Sequence, residues 1–251
     1  MNRLAVLILT YNEEENISDC INSVKFADEI IIVDSGSQDH TEEIAKDLGA
    51  KFIYNKMTGF ADQRNFALNQ TNAEWVLYLD ADERILPDTA KEICNIVKAG
   101  IACAYEIKRM NIVFGQMLKH GGHRPDYALR LYPREAVKWQ GIVHEQAIIN
   151  IPIKRLNGAM HHYTYQDWDK YFVKFNQYTT LMAKKMKDSG KQANFLDISL
   201  RPLFAFFRFY FLQSGWRDGK MGFVFAMFHC FYTLAKYVKL YYWQEGRGNL
   251  E

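Results

Sequence analysis

Trp75-Val76-Leu77-Tyr78-Leu79-Asp80-Ala81-Asp82 is the stretch whose reading decides the fold. An apolar run, residues 75–79, stops at two carboxylates one residue apart. A short, continuous apolar run reads as a strand buried on both faces, as in a parallel sheet. In open α/β sheets, ligands bind beyond the carboxyl ends of such strands. Side chains at i and i+2 of an extended segment point the same way. Asp80 and Asp82 are therefore expected to face one ligand together. Two hard oxygen ligands suit Mg²⁺ or Mn²⁺, ions that commonly bridge a few carboxylates to phosphates. Asp-x-Asp alone is a weak signal, because acids in a strand–helix loop are ordinary. It gains weight from similar polar clusters after two earlier strand-like runs.

Those runs are Leu4–Leu9 and Ile30–Val33. Thr10-Tyr11-Asn12-Glu13 follows the first, and Asp34-Ser35-Gly36-Ser37-Gln38-Asp39 follows the second. In a parallel sheet all three clusters come out on one edge. Acceptors at Glu13 and Asp34 suit a base N–H or a ribose hydroxyl, and Gly36 permits close approach of a ligand. Each cluster alone makes an ordinary turn or helix cap. Three on one edge point to a nucleotide pocket. No G-x-G-x-x-G follows the first strand and no G-x-x-x-x-G-K-[ST] occurs, so dinucleotide and P-loop sites are poorly supported. Phosphate charge is then left to a metal and to basic side chains. Lys56 and Arg64 lie between the third strand and Asp80 and can serve.

The first hundred residues alternate strand and helix patterns. Ile17, Cys20, Ile21 and Val24 fall on one helical face. Thr41 reads as the cap of a helix carrying Ile44, Ala45 and Leu48, stopped by Gly49. Lys51–Tyr54 is a third strand, 60–69 a helix, and Pro87–Val97 a helix stopped by Gly100. This alternation predicts a doubly wound parallel sheet. After residue 100, the runs 102–108, 112–114 and 127–132 read as strands of an antiparallel or mixed extension, with a turn at Gly121-Gly122. Residues 167–187 read as one long helix, and 200–243 as aromatic, basic and helical.

A chain of 251 residues, 49% hydrophobic, fits one large domain or a domain with an appendage. The net charge of +2 and the lack of a long basic run leave no nucleic-acid footprint. Cys20, Cys94, Cys103 and Cys230 are scattered, which points to a reducing compartment and to neither a disulfide framework nor a zinc site. Leu4–Leu9 is too short for a signal peptide and leads into Glu13-Glu14-Glu15, so a cytoplasmic location is expected. In the tail, residues 202–212 and 221–235 are strongly apolar, but Arg208 interrupts the first run and Arg217-Asp218-Gly219-Lys220 separates the two. Spanning a bilayer takes roughly 20 apolar residues, so neither run reads as transmembrane. Aromatics mixed with Arg201, Arg208, Lys220, Lys236 and Lys239 fit a helix pair lying in the interface of an anionic membrane. The plainer reading is a hairpin packed on the rest of the protein, or a dimer contact.

Four pieces now fall into order: residues 9–13 (Leu-Thr-Tyr-Asn-Glu), 33–41 (Val-Asp-Ser-Gly-Ser-Gln-Asp-His-Thr), 63–67 (Gln-Arg-Asn-Phe-Ala) and 79–83 (Leu-Asp-Ala-Asp-Glu). As an ordered set they resemble the family 2 glycosyltransferases with the GT-A fold. Gly141-Ile142-Val143-His144-Glu145, His162-Tyr163-Thr164-Tyr165 and Gly215-Trp216-Arg217-Asp218-Gly219 narrow the resemblance to the bacterial lipopolysaccharide core glucosyltransferase branch. The resemblance implies a GT-A-type nucleotide-sugar-binding domain with a mixed, mainly parallel sheet over residues 1–165. Residues 1–100 would be its nucleotide-binding half and 101–165 its acceptor half. A C-terminal helical, aromatic-rich extension would cover 166–251.

By the same resemblance, Thr10, Asn12 and Glu13 line a uridine pocket and Asp34 takes the uracil edge. Asp80 holds the ribose or the metal's water shell, and Asp82 is the direct metal ligand. Arg64 and Asn65 border the diphosphate and donor sugar. His162, or its neighbour His161, is a second metal ligand. The Glu-Asp pair that carries the base in many members is absent, as is the Gln-x-x-Arg-Trp motif of processive synthases. Glu145 is the best substitute for the base, and Trp139 could stack on an acceptor sugar. The expected activity is inverting, Mg²⁺- or Mn²⁺-dependent transfer of a sugar, glucose first, from a UDP-sugar to an inner-core sugar of a glycolipid acceptor. The expected location is the inner face of the cytoplasmic membrane. Alternatives are transfer to a polyprenyl phosphate or another surface glycan, a haloacid-dehalogenase-type phosphatase, and a non-catalytic peripheral membrane scaffold. The phosphatases carry Asp-x-Asp on an early strand, whereas here it stands at residue 80. A scaffold would lack acids, whereas Asp34, Asp80, Asp82 and Glu145 are all present.

Overall fold

The structure is a computed structural model that describes residues 3–141 and 145–247. The chain divides into two compact units: Met1–Met110 with Asp126–His162, and Asn111–Pro125 with Tyr163–Glu251. The first half runs β1 (Leu4–Thr10), α1 (Ile17–Ser23), β2 (Glu29–Asp34), α2 (Thr41–Asp47), β3 (Lys51–Tyr54), α3 (Phe60–Leu68), β4 (Trp75–Asp80), β5 (Glu83–Ile85), α4 (Pro87–Ala99) and β6 (Ala104–Val113). Then come β7 (Gln116–Met117), β8 (Asp126–Pro133), β9 (Lys138–Gln140), β10 (Gln146–Ile148) and β11 (Ile153–Tyr165). The tail holds α5 (Trp168–Asp188), α6 (Phe195–Phe207), a π-helical turn at Arg208–Leu212, a 3₁₀ turn at Gly215–Asp218, and α7 (Gly219–Gln244).

Among the described residues, nine strands make one mixed sheet in the order β3-β2-β1-β4-β8-β6-β11-β5, with β7 beside β6. The β3-β2-β1-β4 half is parallel, and β8 and β6 continue it antiparallel. A separate antiparallel pair joins β9 to β10. Central strands buried on both faces need apolar side chains at every position, and β1 supplies them. Leu4, Val6 and Ile8 pack on one face with Leu77 and Leu79 of β4, under Ile17, Cys20, Ile21 and Val24 from α1 and its end, and Ile93 and Val97 of α4. Ala5 and Leu7 pack on the other with Ile31, Val33, Val76 and Tyr78, covered by Ala61 and Ala67 of α3 and by Trp139. Burying one such Leu, Ile or Val contributes roughly 1.5–3 kcal/mol over leaving it exposed. The mixed α/β architecture expected from the sequence is therefore present.

Two details position the site. β1, β2 and β4 are parallel neighbours, so the loops after Thr10, Asp34 and Asp80 share one edge. Strands β4 and β5 are separated only by Ala81 and Asp82, yet they stand at non-adjacent places in the strand order. The sheet must curl to bring its last strand back beside the end of β4.

Several expectations need correction. The runs 102–108 and 112–114 are one continuous strand, β6. His40, not Thr41, is the cap residue of α2. Strand β11 went unread because its only buried residues, Leu156 and Met160, are four apart, a helical spacing. Strand β5 went unread because two of its three residues are the charged Glu83 and Arg84, both buried. The two apolar runs are separated around residues 213–218 as expected, but the second belongs to α7, a helix of 26 residues that, with the preceding turn, is long and apolar enough to cross a membrane by length and composition. Its basic residues do not interrupt it, because Lys220 sits in the first turn and the Lys239 amine donates to α5, at Thr179 (2.7 Å) and Thr180 (2.8 Å).

β11 lies close against α4 at Gly158. The Gly158 N–H donates to Glu92 Oε2 (2.9 Å), and the Thr89 hydroxyl donates to the Ala159 carbonyl (2.6 Å). A Cβ at 158 would stand 2.9 Å from the Thr89 Cα, backbone that cannot yield without moving α4. Gly158→Ala is therefore expected to cost about 1–3 kcal/mol, read as a lower urea midpoint. An unchanged midpoint would mean that α4 and β11 are not this tightly apposed.

Candidate active site

The first two loops are stitched together before any ligand arrives. Asp34 is 2% exposed and accepts from the Thr10 hydroxyl (2.8 Å), the Gly36 and Ser37 amides (2.7 Å each) and the Ser37 hydroxyl (2.5 Å). Asn12 sits at φ 55°, in the left-handed region. Its amide donates to Ser37 Oγ (2.7 Å) and its Oδ1 accepts from the Gln38 amide (2.8 Å). The Glu13 amide donates to Thr41 Oγ1 (2.8 Å), and Glu13 Oε2 accepts from Asn16 Nδ2 (2.9 Å). Thr10, Asn12, Glu13 and Asp34 thus meet, as the sequence reading requires. The work of Asp34 differs from the expected uracil contact. A carboxylate offers about four lone-pair sites, and the protein fills four, so Asp34 acts as the clamp between the loops.

The third loop is a charge cluster. Asp80 accepts from Arg64 Nη2 (3.1 Å) and from Arg130 Nη2. The same Arg130 nitrogen reaches Glu83 Oε1 at 2.6 Å, and Arg109 Nη1 stands 3.5 Å from that oxygen. Glu83 Oε2 accepts the Asp80 amide (3.1 Å). Arg109 in turn grips Asp126 through two nitrogens, at 2.9 and 2.5 Å. Burial alone would raise the Asp80 carboxyl; the Arg130 and Arg64 guanidinium groups outweigh it and hold that carboxyl well below the usual range. Burial pushes the Glu83 carboxyl up, Arg130 opposes the rise, and the Asp80 charge adds to it.

The pairing of Asp80 with Asp82 on one ligand is not what the structure shows. β4 ends at Asp80, and Ala81-Asp82 is a turn, so the i, i+2 rule for extended chain does not reach Asp82. Asp82 instead faces His162, whose Nε2 lies 3.4 Å from Asp82 Oδ2. Of the two histidines, it is His162 that meets the aspartate. Among the described residues, no group of three or more His, Cys, Asp or Glu side chains gathers to hold a metal. The donor set here, one carboxylate and one imidazole, still suits a cation that keeps several waters and takes substrate phosphate oxygens, the habit of Mg²⁺ and Mn²⁺.

Arg64 links this loop to the far side of the site. Its Nε lies 3.8 Å from Glu145 Oε1, and its guanidinium lies over the rings of Trp139 (4.7 Å) and Tyr78 (5.6 Å). Arg64 is 6% exposed, and its Nε and Nη1 have no hydrogen-bond partner among the described residues. Buried orphan donors are uncommon, and two on one guanidinium suit an oxyanion. Asn65 does not reach toward a ligand: its side chain forms a closed pair with the Trp139 main chain, donating at 2.8 Å and accepting at 2.9 Å. Trp139 is 7% exposed and packs edge-on to Tyr78 (5.1 Å) and Tyr132 (6.2 Å). It is a core residue here, in place of the sugar platform expected from sequence. Lys56 is exposed. Of the Gly141–Glu145 motif, residues 142–144 lie outside the described residues.

Sequence reasoning missed Arg130, Arg109 and the role of Glu83. The signal was present: Arg130 interrupts the apolar run Leu129, Leu131, Tyr132 of β8, and a charge buried in a strand must be paired.

The model of the family described as Glycosyl transferase family 2 matches residues 5–149. The chain belongs to glycosyltransferase family 2. This family 2 transferase is 31% identical to the lipopolysaccharide core biosynthesis glycosyltransferase LpsC of Rhizobium meliloti, across 95% of this chain and 92% of that protein. It is 29% identical to an uncharacterized glycosyltransferase of Rickettsia typhi, across 96% of this chain and 87% of that one. Among solved structures it is similar to S. aureus TarS, with a TM-score of 0.46 and 17% identity, over 73% of this chain and 39% of that chain.

Glu83 is 0% exposed, so removing its main partner leaves a buried charge uncompensated. Arg130→Ala is expected to cost about 3–5 kcal/mol in chemical denaturation. The sign with pH is fixed as well. A depressed Asp80 contributes stability above its ordinary value near about pH 4 and loses it only as pH falls through the lowered folded value. In Arg130→Ala the acid limb of the stability profile should move to higher pH; an unmoved limb would remove Arg130 from this role.

Proposed function

We propose that this family 2 transferase moves a hexose, glucose first, from a UDP-sugar to an inner-core sugar of a lipopolysaccharide, with inversion and with help from Mg²⁺ or Mn²⁺. One observation carries the reading: Asp82 meets His162 just past Asp80, while Arg64 reaches from Asp80 to Glu145. Similarity to a protein named for lipopolysaccharide core biosynthesis supports the acceptor class.

The clamped loops give the nucleoside a fixed floor, so little ordering is needed on binding. Asp82 and His162 would hold the divalent cation. When bound, that cation offsets charge on the leaving diphosphate as a Lewis acid. Arg64, with two unfilled donors, is the nearest protein cation for phosphate oxygens. Glu145 takes the proton of the acceptor hydroxyl as that oxygen attacks the anomeric carbon from the side opposite the diphosphate. A single displacement turns an α-linked donor into a β-linked product.

The acceptor is lipid-borne in this reading, and the second unit offers a matching surface. α6 exposes Phe195, Leu196, Leu200, Leu203, Phe204 and Phe207 beside Arg201 and Arg208. Contiguous apolar exposure bounded by cations fits the interface of an anionic membrane. The protein would sit on the cytoplasmic face of the inner membrane. A polyprenyl phosphate acceptor would use the same surface, and analysis of the product separates the two.

Glu145→Gln should lower turnover by about 10²–10⁴-fold while UDP binding by calorimetry is kept. Asp82→Ala should abolish the Mn²⁺ dependence of that binding. Full turnover in the first variant, or intact Mn²⁺ dependence in the second, would overturn the corresponding role. Flotation with anionic liposomes should be lost when Leu203 and Phe204, both exposed, are changed together to Glu; equal flotation would reject membrane docking through α6.

A further inference from the structure

We propose that the second unit carries a saccharide-binding site of its own, an aromatic cavity that takes one neutral pyranose ring. The cavity encloses about 320 Å³. That is near the lower end of the roughly 300–1,000 Å³ typical of ligand pockets. It suits a single sugar ring and is small for a sugar nucleotide. It shares no residue with the carboxylate–arginine cluster of the first unit, and of its lining only Gly122 and His123 fall within residues 5–149.

Every side chain lining it is a ring. Phe209, Phe225 and Phe228 supply apolar faces, with Phe225 and Phe228 set edge-to-face at 5.9 Å. Tyr165 and Tyr171 cross at 4.8 Å and 88°, and with Tyr232 they bring three phenol hydroxyls. His123, 4.6 Å from Phe225, and His229, 5.5 Å from Phe209, add imidazole nitrogens. A pyranose matches both sets: its axial C–H bonds lie against aromatic faces, and its hydroxyls give and take hydrogen bonds. Burial, reinforced by Lys236 and Arg208, holds His229 neutral, so it offers one donor and one acceptor.

Two other occupants fit less well. Aromatic cages hold quaternary ammonium groups through cation–π attraction, but no carboxylate lines this cavity and the charges acting on His229 are Lys236 and Arg208. An acyl chain would offer no hydrogen bond to the Tyr165 and Tyr171 phenols or to the His229 imidazole.

The cavity is preformed by close packing. Gly121 stands at φ +63°, and Phe209 lies so near Gly121 and Gly122 that a Cβ on either would come within 2.7 Å of its ring. Gly215 approaches the Phe209 carbonyl in the same way, at 2.8 Å. Two of the stretches behind the narrower lipopolysaccharide-branch resemblance thus converge here: Tyr165 lines the cavity and Gly215 seats its Phe209 wall.

The test uses the full chain without nucleotide or metal. Saturation-transfer NMR with methyl α-D-glucopyranoside and methyl α-D-mannopyranoside should show transfer to the ring C–H protons, with millimolar affinity for at least one. Tyr165→Phe combined with His229→Phe keeps the rings and removes polar atoms. It should weaken binding at least five-fold while near-ultraviolet circular dichroism is unchanged. No transfer from either glycoside, wild-type affinity in the double variant, or displacement of the glycoside by choline or decanoate would overturn the proposal. UDP binding in Mn²⁺, measured on the same samples, reports on the first unit alone, so a failure of the donor reading stays separate from a failure here.

Discussion

The guanidinium of Arg130 is the joint on which the site depends. It stands on β8 and holds Asp80 at the end of β4 and Glu83 on β5. Those strands are far apart in the sheet order, so this contact closes the curl. A buried ion pair is seldom a source of net stability, since desolvation offsets most of the attraction, and well-packed apolar residues often do as well. What the cluster supplies instead is position. Asp80 is fixed between Arg130 and Arg64, which leaves Arg64 with one arm tied and two donors unfilled. The next acid, Asp82, is turned out toward His162. Charge that costs free energy to bury orients the groups at this sheet edge.

The other loops follow the same logic with neutral partners. Asp34 collects donors from the ends of β1 and β2 and makes the two connections one rigid body. The polar groups at this edge are already held in place. Their order is set during folding, and in the proposed reading a ligand would need to impose little of it.

Much of this was legible in the sequence, and the reasons are local. Strands β1, β2 and β4 are buried on both faces, so each leaves an unbroken apolar run that ends in polar residues. Helix α4 carries its stop signal in Gly100, at φ 65°. The nearness of Asp82 to His162 and of Arg64 to Glu145 follows pieces of sequence that the family resemblance had already marked. The contents of the third cluster were less legible. Arg130 lies fifty residues from Asp80, and only the antiparallel return of β8 brings them together. Trp139 and Asn65 were misjudged for a related reason. A large aromatic or an amide in a loop-like stretch looks available for ligand, and only the packing of β9 on α3 shows that each is occupied with the other. Reading β11 failed because a strand at the margin of the core carries too few buried positions to display its period.

The two-residue turn between β4 and β5 sets a strict register. Along a strand, orientation alternates with every residue, so one residue deleted there would carry Glu83 off its face and bring Arg84 opposite Arg130. Like charges would then meet in the interior, and the curl would lose its closure. The number of residues between Asp80 and Glu83 is thus fixed by the charges that flank it, and Ala81 within the turn is itself buried in the core.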